Sequence, residues 1–197
     1  MILKEGMYDV PGGHVATVVT HLEMTTPTMP APLPFPDGIT ATNQGVDLET
    51  YRALFRSVGG PWLWTSRLLL DDAALTKLLD DPLNEIWVVR QNGADIGLIE
   101  LDFSKPKECE LVLFGMLATA TGQGLGKPMM ALVQSRAFAR DIKRLEVHTC
   151  HLDDPRALTF YQHMGFKPVK RAVEVFADPR LSGTHDPNIA PQIPCLK

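Results

Sequence analysis

The hydrophobic positions change their period several times along the chain, and each change marks an element. "HVATVVTHLEM" (14–24) is rich in β-branched residues and predicts a strand. Five prolines between 25 and 38 exclude regular structure and predict an extended connection, either a lid or a linker. Leu48, Tyr51, Leu54, Phe55 and Val58 then recur at helical spacing behind Asp47, which suits a cap. Residues 59–67 form a loop carrying Trp62 and Trp64, and 68–81 a second short helix beginning at one of its aspartates.

Beyond residue 83 the period shortens. "NEIWVVRQNGADIGLIELDF" is two β-rich runs around Asn92–Gly93, a hairpin signal. "CELVLFGML" (109–117) follows a second turn and is apolar on both faces from Leu111 onward, as in a central strand covered on two sides. Gly115 interrupts it and marks a bulge or a close backbone approach. Leu125, Met129, Leu132, Val133 and Phe138 place one apolar face on a helix over 125–140. Residues 144–150 alternate as a strand. A short helix is expected over 153–166, with Asp154 as N-cap, Pro155 at the first helical position and Gly165 as a left-handed stop. Residues 168–178 are the last strand. A helical crossover lets the strands on either side of the 125–140 helix lie parallel, which a tight turn forbids. The fold class is α+β with a mixed sheet, in a single domain over 1–197. Its core is 84–177, with 25–38 a proline-rich connection and 178–197 a C-terminal tail.

Composition narrows the partners. The chain has 197 residues with a formal net charge of -4, and no basic footprint for nucleic acid. Its three cysteines, Cys109, Cys150 and Cys195, show no CxxC and argue against a disulfide framework or a thiolate zinc site. His148, His151 and His163 have no metal-ligand spacing with nearby carboxylates, so no metal is expected. Neither a leader h-region nor a membrane span is visible, and cytoplasmic residence without a membrane partner is the expectation.

"TGQGLGKPMM" (121–130) sets glycines at 122, 124 and 126 ahead of Lys127 and an apolar run. A P-loop needs glycine at 121 and Ser or Thr at 128, where Thr121 and Pro128 stand. A dinucleotide fingerprint from Gly122 needs Gly or Ala at 127. Both fail, yet a glycine-rich loop between a strand and a helix still aims free N–H groups at an anion. Pro128 removes one amide and disfavours helical geometry at Lys127.

"GMLATATGQGLGKPMMALV" resembles motif A of the GNAT superfamily, the acyl-CoA-dependent N-acetyltransferases. Thr121, Gly122, Gln123, Gly124, Leu125 and Gly126 fall on its Gln/Arg-x-x-Gly-x-Gly/Ala pattern, with Thr121 in place of Gln or Arg. "DPRALTFYQHMGF" is similar to a second family segment, with Asp154, Ala157, Tyr161, Gly165 and Phe166 in register and Asp154 replacing asparagine. The resemblance covers roughly 84–177. It implies a GNAT-like fold, an antiparallel meander followed by a parallel β-α-β crossover with a splayed central strand pair.

The resemblance also implies a reaction, transfer of an acetyl group from acetyl-CoA to a primary amine of a small molecule or peptide by direct attack. Met116, Leu117, Ala118, the 121–126 loop, Lys127, Asp154 and Tyr161 would hold the cosubstrate, with the Met116 amide polarising the thioester. Tyr161 would protonate the departing thiolate, and Glu110 is the candidate base, with Glu100 and Asp102 in reserve. Trp62, Trp64 and Glu100 would border the acceptor. Dimers are common among such proteins, so a homodimer is left open. The competing class is a non-catalytic acyl-CoA-binding or regulatory module.

Overall fold

The computed structural model describes residues 3–29, 31–43 and 45–197, so Pro30 of the proline-rich segment lies outside the described residues. Among the described residues seven strands form one sheet: β1 His14–Met24, β2 Ile39–Thr42, β3 Asn84–Gln91, β4 Ala94–Asp102, β5 Glu108–Met116, β6 Arg144–Cys150 and β7 Lys167–Ala177. The helices are α1 Leu48–Gly59, α2 Asp72–Leu79, α3 Gly126–Phe138 and α4 Ala157–His163. The strand order is β2-β3-β4-β5-β6-β1-β7.

Local chemistry explains most boundaries. Asp47 accepts from the Thr50 amide at 2.9 Å and starts α1; Asp71 does the same for α2 through Ala74 at 2.8 Å. Asn92 and Gly93 have φ of 51° and 86°, the two positive angles of a two-residue hairpin turn joining β3 to β4. Gly165 has φ 99° and ends α4, and the Phe166 amide reaches back to the Tyr161 carbonyl at 3.0 Å.

Other boundaries differ from the sequence reading. α4 begins at Ala157 with Arg156 in the cap position, because the Asp154 carboxylate accepts from the Arg156 amide and pairs with its guanidinium. Asp154 thus closes a turn ahead of the helix. Pro128 falls in the first turn of α3, where no amide donor is needed, so Lys127 stays helical. The strand β2 was invisible: four residues, "ITAT", carry too little pattern, and pairing with β3 creates it.

The sheet separates two cores. One face, with Ile99, Leu101, Cys109, Leu111, Leu145 and Val147, packs on α3 and α4. The other packs Leu98 and Leu113 on Tyr51, Leu54, Phe55 and Val58 of α1. β5 lies fourth of seven and is covered on both sides, as its unbroken apolar run requires. The proline-rich segment is a strap across α3: the buried Gln134 accepts from the Thr28 and Met29 amides and donates to the Met164 carbonyl.

Candidate active site

β5 and β6 are parallel, and their ladder runs only from Glu108/Arg144 to Leu111/Val147. Past that point β5 stays paired with β4, and β6 with β1, so the two strands part within the sheet. A bulge drives the parting. Glu100 opposes Leu113 while Leu101 opposes Leu111, which leaves Val112 as the extra residue. The bulge therefore sits three residues before Gly115. Gly115 serves the close approach instead: a Cβ there would lie 2.5 Å from Val58 Cγ1 and 3.1 Å from the Trp64 ring.

The bulge also decides which amides face the opening. The Leu117 amide donates to Ile96 on β4 at 2.8 Å. Amides alternate sides along a strand, so that of Met116 points away from β4, toward the opening. It is a donor aimed into the opening.

At the end of this opening lies the glycine loop. Gly122 and Gly124 have φ of 84° and 77°, left-handed angles that cost other residues about 1–2 kcal/mol. Among the described residues, no amide from Gly122 to Lys127 donates a hydrogen bond; the first to do so is that of Met129, to Leu125. Six free donors at the positive end of α3 suit an anion. Lys127 is exposed beside it, Leu125 is buried beneath it, and Gly126 approaches the Phe160 ring. Thr121 spends its hydroxyl on the Leu117 carbonyl, and Gln123 spends its amide on that of Thr119. Ala118 belongs to a short 3-10 turn before the loop.

Tyr161 projects from α4 between Phe114, Phe160 and Phe166, with ring centroids 5.7–6.2 Å away. Among the described residues no partner hydrogen-bonds its hydroxyl. Burial first, and the Asp153 carboxylate second, raise its pKa, so it keeps its proton at neutral pH.

On the opposite face of the sheet Glu110 is not alone. Its carboxylate contacts His148 Nδ1 at 3.6 Å and Lys105 Nζ at 3.3 Å. His148, opposed by burial and helped by Lys105, lowers the Glu110 pKa to about 2. In turn Glu110 raises that of His148 against the effect of burial. An isolated carboxylate of that acidity is a weak base. His148 faces His21 of β1, its ring centroid 5.7 Å away.

Glu100 is employed elsewhere. Buried at 1% exposure, it accepts from the Tyr51 hydroxyl at 2.9 Å and from Arg67, tying α1 and the following loop to β4. Asp102 caps the next turn through the Ser104 amide. Trp64 bridges the parting strands: its ring lies on Gly115 of β5, and its Nε1 donates to Asp153 at 3.1 Å. Trp62 lines a separate cavity beside Asp153. Sequence reading missed Asp153 altogether, since an aspartate beside a helix start looks like any loop residue. The His148–Glu110 contact was equally hidden, because it joins two strands through a crossover. Among the described residues no group of three or more His, Cys, Asp and Glu side chains is placed to hold a metal, and no helix is long and apolar enough to cross a membrane.

A mixed sheet split beside a free-amide loop at a helix start defines the acetyltransferase class of the sequence resemblance. The model of the acetyltransferase (GNAT) family matches residues 49–166, and the chain belongs to that family. Mycothiol acetyltransferase of Jonesia denitrificans is 29% identical over 109 residues, which cover 54% of this chain and 34% of that protein. A GCN5-related N-acetyltransferase from Sphaerobacter thermophilus superposes with a TM-score of 0.61 at 20% identity, covering 83% of this chain and 53% of the other. A tandem GNAT protein from the clavulanic acid biosynthesis pathway gives 0.58 at 13%, covering 86% and 54%. The chain thus spans about a third of the curated relative's length and about half that of these solved chains.

Proposed function

We propose that the protein transfers an acetyl group from acetyl-CoA to a primary amine by direct attack. The observation that carries this reading is the β5–β6 opening, with the Met116 amide at its side and the free amides of Gly122–Lys127 at its end. The amides and Lys127 suit the diphosphate, and the opening admits an extended arm between two strands. In the reaction the amine nitrogen bonds to the thioester carbon and the C–S bond breaks; an ammonium loses one proton before attack and a second after it, and the departing sulfur gains one.

At neutral pH only about one ordinary alkylamine in a thousand is unprotonated, so a base is worth having. In this reading His148 takes the first proton, held and made more basic by Glu110. Glu110 orients and charges the imidazole rather than accepting the proton itself. Tyr161, protonated and without a partner among the described residues, donates to the departing sulfur and is reprotonated by the second amine proton.

The first test is a thermal-shift titration with acetyl-CoA, with adenosine and acetate as controls. Saturation at a hundred times Kd stabilises by about 2.7 kcal/mol, or roughly 5–10 °C for a chain of this size at about 2–4 °C per kcal/mol. The second is amine-dependent release of CoA thiol across a panel of amines. Tyr161→Phe is expected to lower turnover about tenfold or more, in the range of general acid catalysis, while leaving the acetyl-CoA shift intact. Unchanged turnover would remove Tyr161 from the mechanism.

A further inference from the structure

A cavity of about 430 Å³ opens just past the end of β6, bounded by the start of β1, Trp62, the 151–155 loop and the tail at Ile193. Resting on the acetyl-transfer reading, we propose that this cavity binds the acceptor, that Asp153 receives its ammonium group, and that the acceptor is a small primary monoamine with an apolar or aromatic body.

Asp153 lines the cavity, and its carboxylate is fully held. Oδ1 accepts from Trp64 Nε1 at 3.1 Å, and Oδ2 from Thr149 Oγ1 at 2.8 Å and the Cys150 amide at 2.9 Å. All three donors are neutral. Among the described residues no Lys or Arg forms an ion pair with it, although most other carboxylates in the sheet, Glu85, Glu100, Glu108, Glu110 and Glu146, have one. A rigid carboxylate with its charge uncompensated in a concave site calls for a cation.

Its position suits the chemistry. Trp64 and Thr149 hold it across the parting of β5 from β6, with Trp64 resting on Gly115. Its charge reaches both Tyr161 and His148, the two groups assigned to proton handling. Of the remaining walls Val15, Leu152, Ile193 and Trp62 are apolar, while His14, His151 and Gln192 are polar. The apolar part suits a hydrocarbon or aromatic body, and among the described residues the lining holds no second carboxylate for a polyamine and no Arg or Lys for an amino-acid carboxylate.

The experiment uses the full chain, benzylamine as the probe and benzyl alcohol as its uncharged counterpart. Benzylamine is expected to bind saturably by calorimetry at pH 7.5, with the alcohol about tenfold weaker or more, as the loss of a charged hydrogen bond entails. In Asp153→Asn the amide would turn an N–H toward Trp64 Nε1, so the variant is made together with Trp64→Phe and compared with Trp64→Phe alone. The pair is expected to lose about tenfold or more in benzylamine affinity, with the acetyl-CoA shift retained. A crystal soaked with 4-bromobenzylamine is expected to show bromine among Trp62, Leu152 and Ile193. No benzylamine binding, equal binding of the alcohol, unchanged affinity in the pair, or bromine elsewhere would each overturn the proposal. A missing acetyl-CoA shift, by contrast, would count against the acetyl-transfer reading and leave the amine measurements to stand separately.

Discussion

The charge on Glu110 is tied to that on His148, and this tie gives the residue scale its clearest prediction. Glu110 raises the His148 pKa above the ordinary 6.5, with Asp153 and Glu174 of β7 adding to it; His21 of β1 is the neighbouring titratable ring. A base must be neutral to act, so kcat/KM should rise with pH through a midpoint above 6.5. In Glu110→Gln the raising charge is gone and that midpoint should fall. An acid limb that stays in place would exclude the pairing. The same contact bears on stability with the opposite carboxylate sign: the Glu110 pKa is depressed from 4.5 to about 2. Its contribution is therefore complete above about pH 4.5 and is lost as pH falls toward 2.

At the scale of elements, one small residue sets the contact between α1, the Trp64 loop and β5. Gly115→Ala would drive a methyl into Val58 and the Trp64 ring. Overpacking of this kind costs about 1–3 kcal/mol; Val58 at 2.5 Å must move, and the Trp64 ring at 3.1 Å must give a little. Both consequences are measurable: a lowered Tm and an altered Trp fluorescence, the latter absent if the sheet shifts instead. The loop before α3 follows a different rule. An added Cβ at Gly122 or Gly124 meets nothing within 4 Å, so backbone angle alone selects glycine there. Gly124→Ala should thus cost about 1–2 kcal/mol and weaken acetyl-CoA as the free amides turn away.

Over the whole molecule the unexpected feature is the place of β1. It lies between β6 and β7, antiparallel to both, from Val19/Cys150 to Met24/Leu145 on one side and from His14/Ala177 to Glu23/Lys167 on the other. The N-terminal strand thus completes the half of the sheet that carries β6, His148 and Thr149. Removing residues 1–24 would leave β6 and β7 without a common partner, exposing backbone donors and acceptors along both. The shortened chain should lose its cooperative thermal transition. A sharp melt in that chain would show that β6 and β7 can close on each other.

Much of this was written in local pattern. The Asn92–Gly93 turn, the Asp47 cap and the Gly165 stop depend on neighbours within a few residues, and short-range sterics and hydrogen bonding settle them; α3 is buried more widely than its expected stripe, at Met130, Ala131, Gln134 and Ala137 as well. The glycine loop was legible for the same reason, since positive φ leaves a compositional trace. What tertiary structure decided was pairing across the chain. Periodicity says that residues 14–24 form a strand but not which strands flank it. It says that β5 is central but not that Val112 is the bulged residue, because the bulge is defined against β4. It leaves Glu110, His148 and Asp153 as three ordinary polar residues. Only the fold brings an imidazole to Glu110 and the Trp64 donor to Asp153, and their chemistry comes from those neighbours.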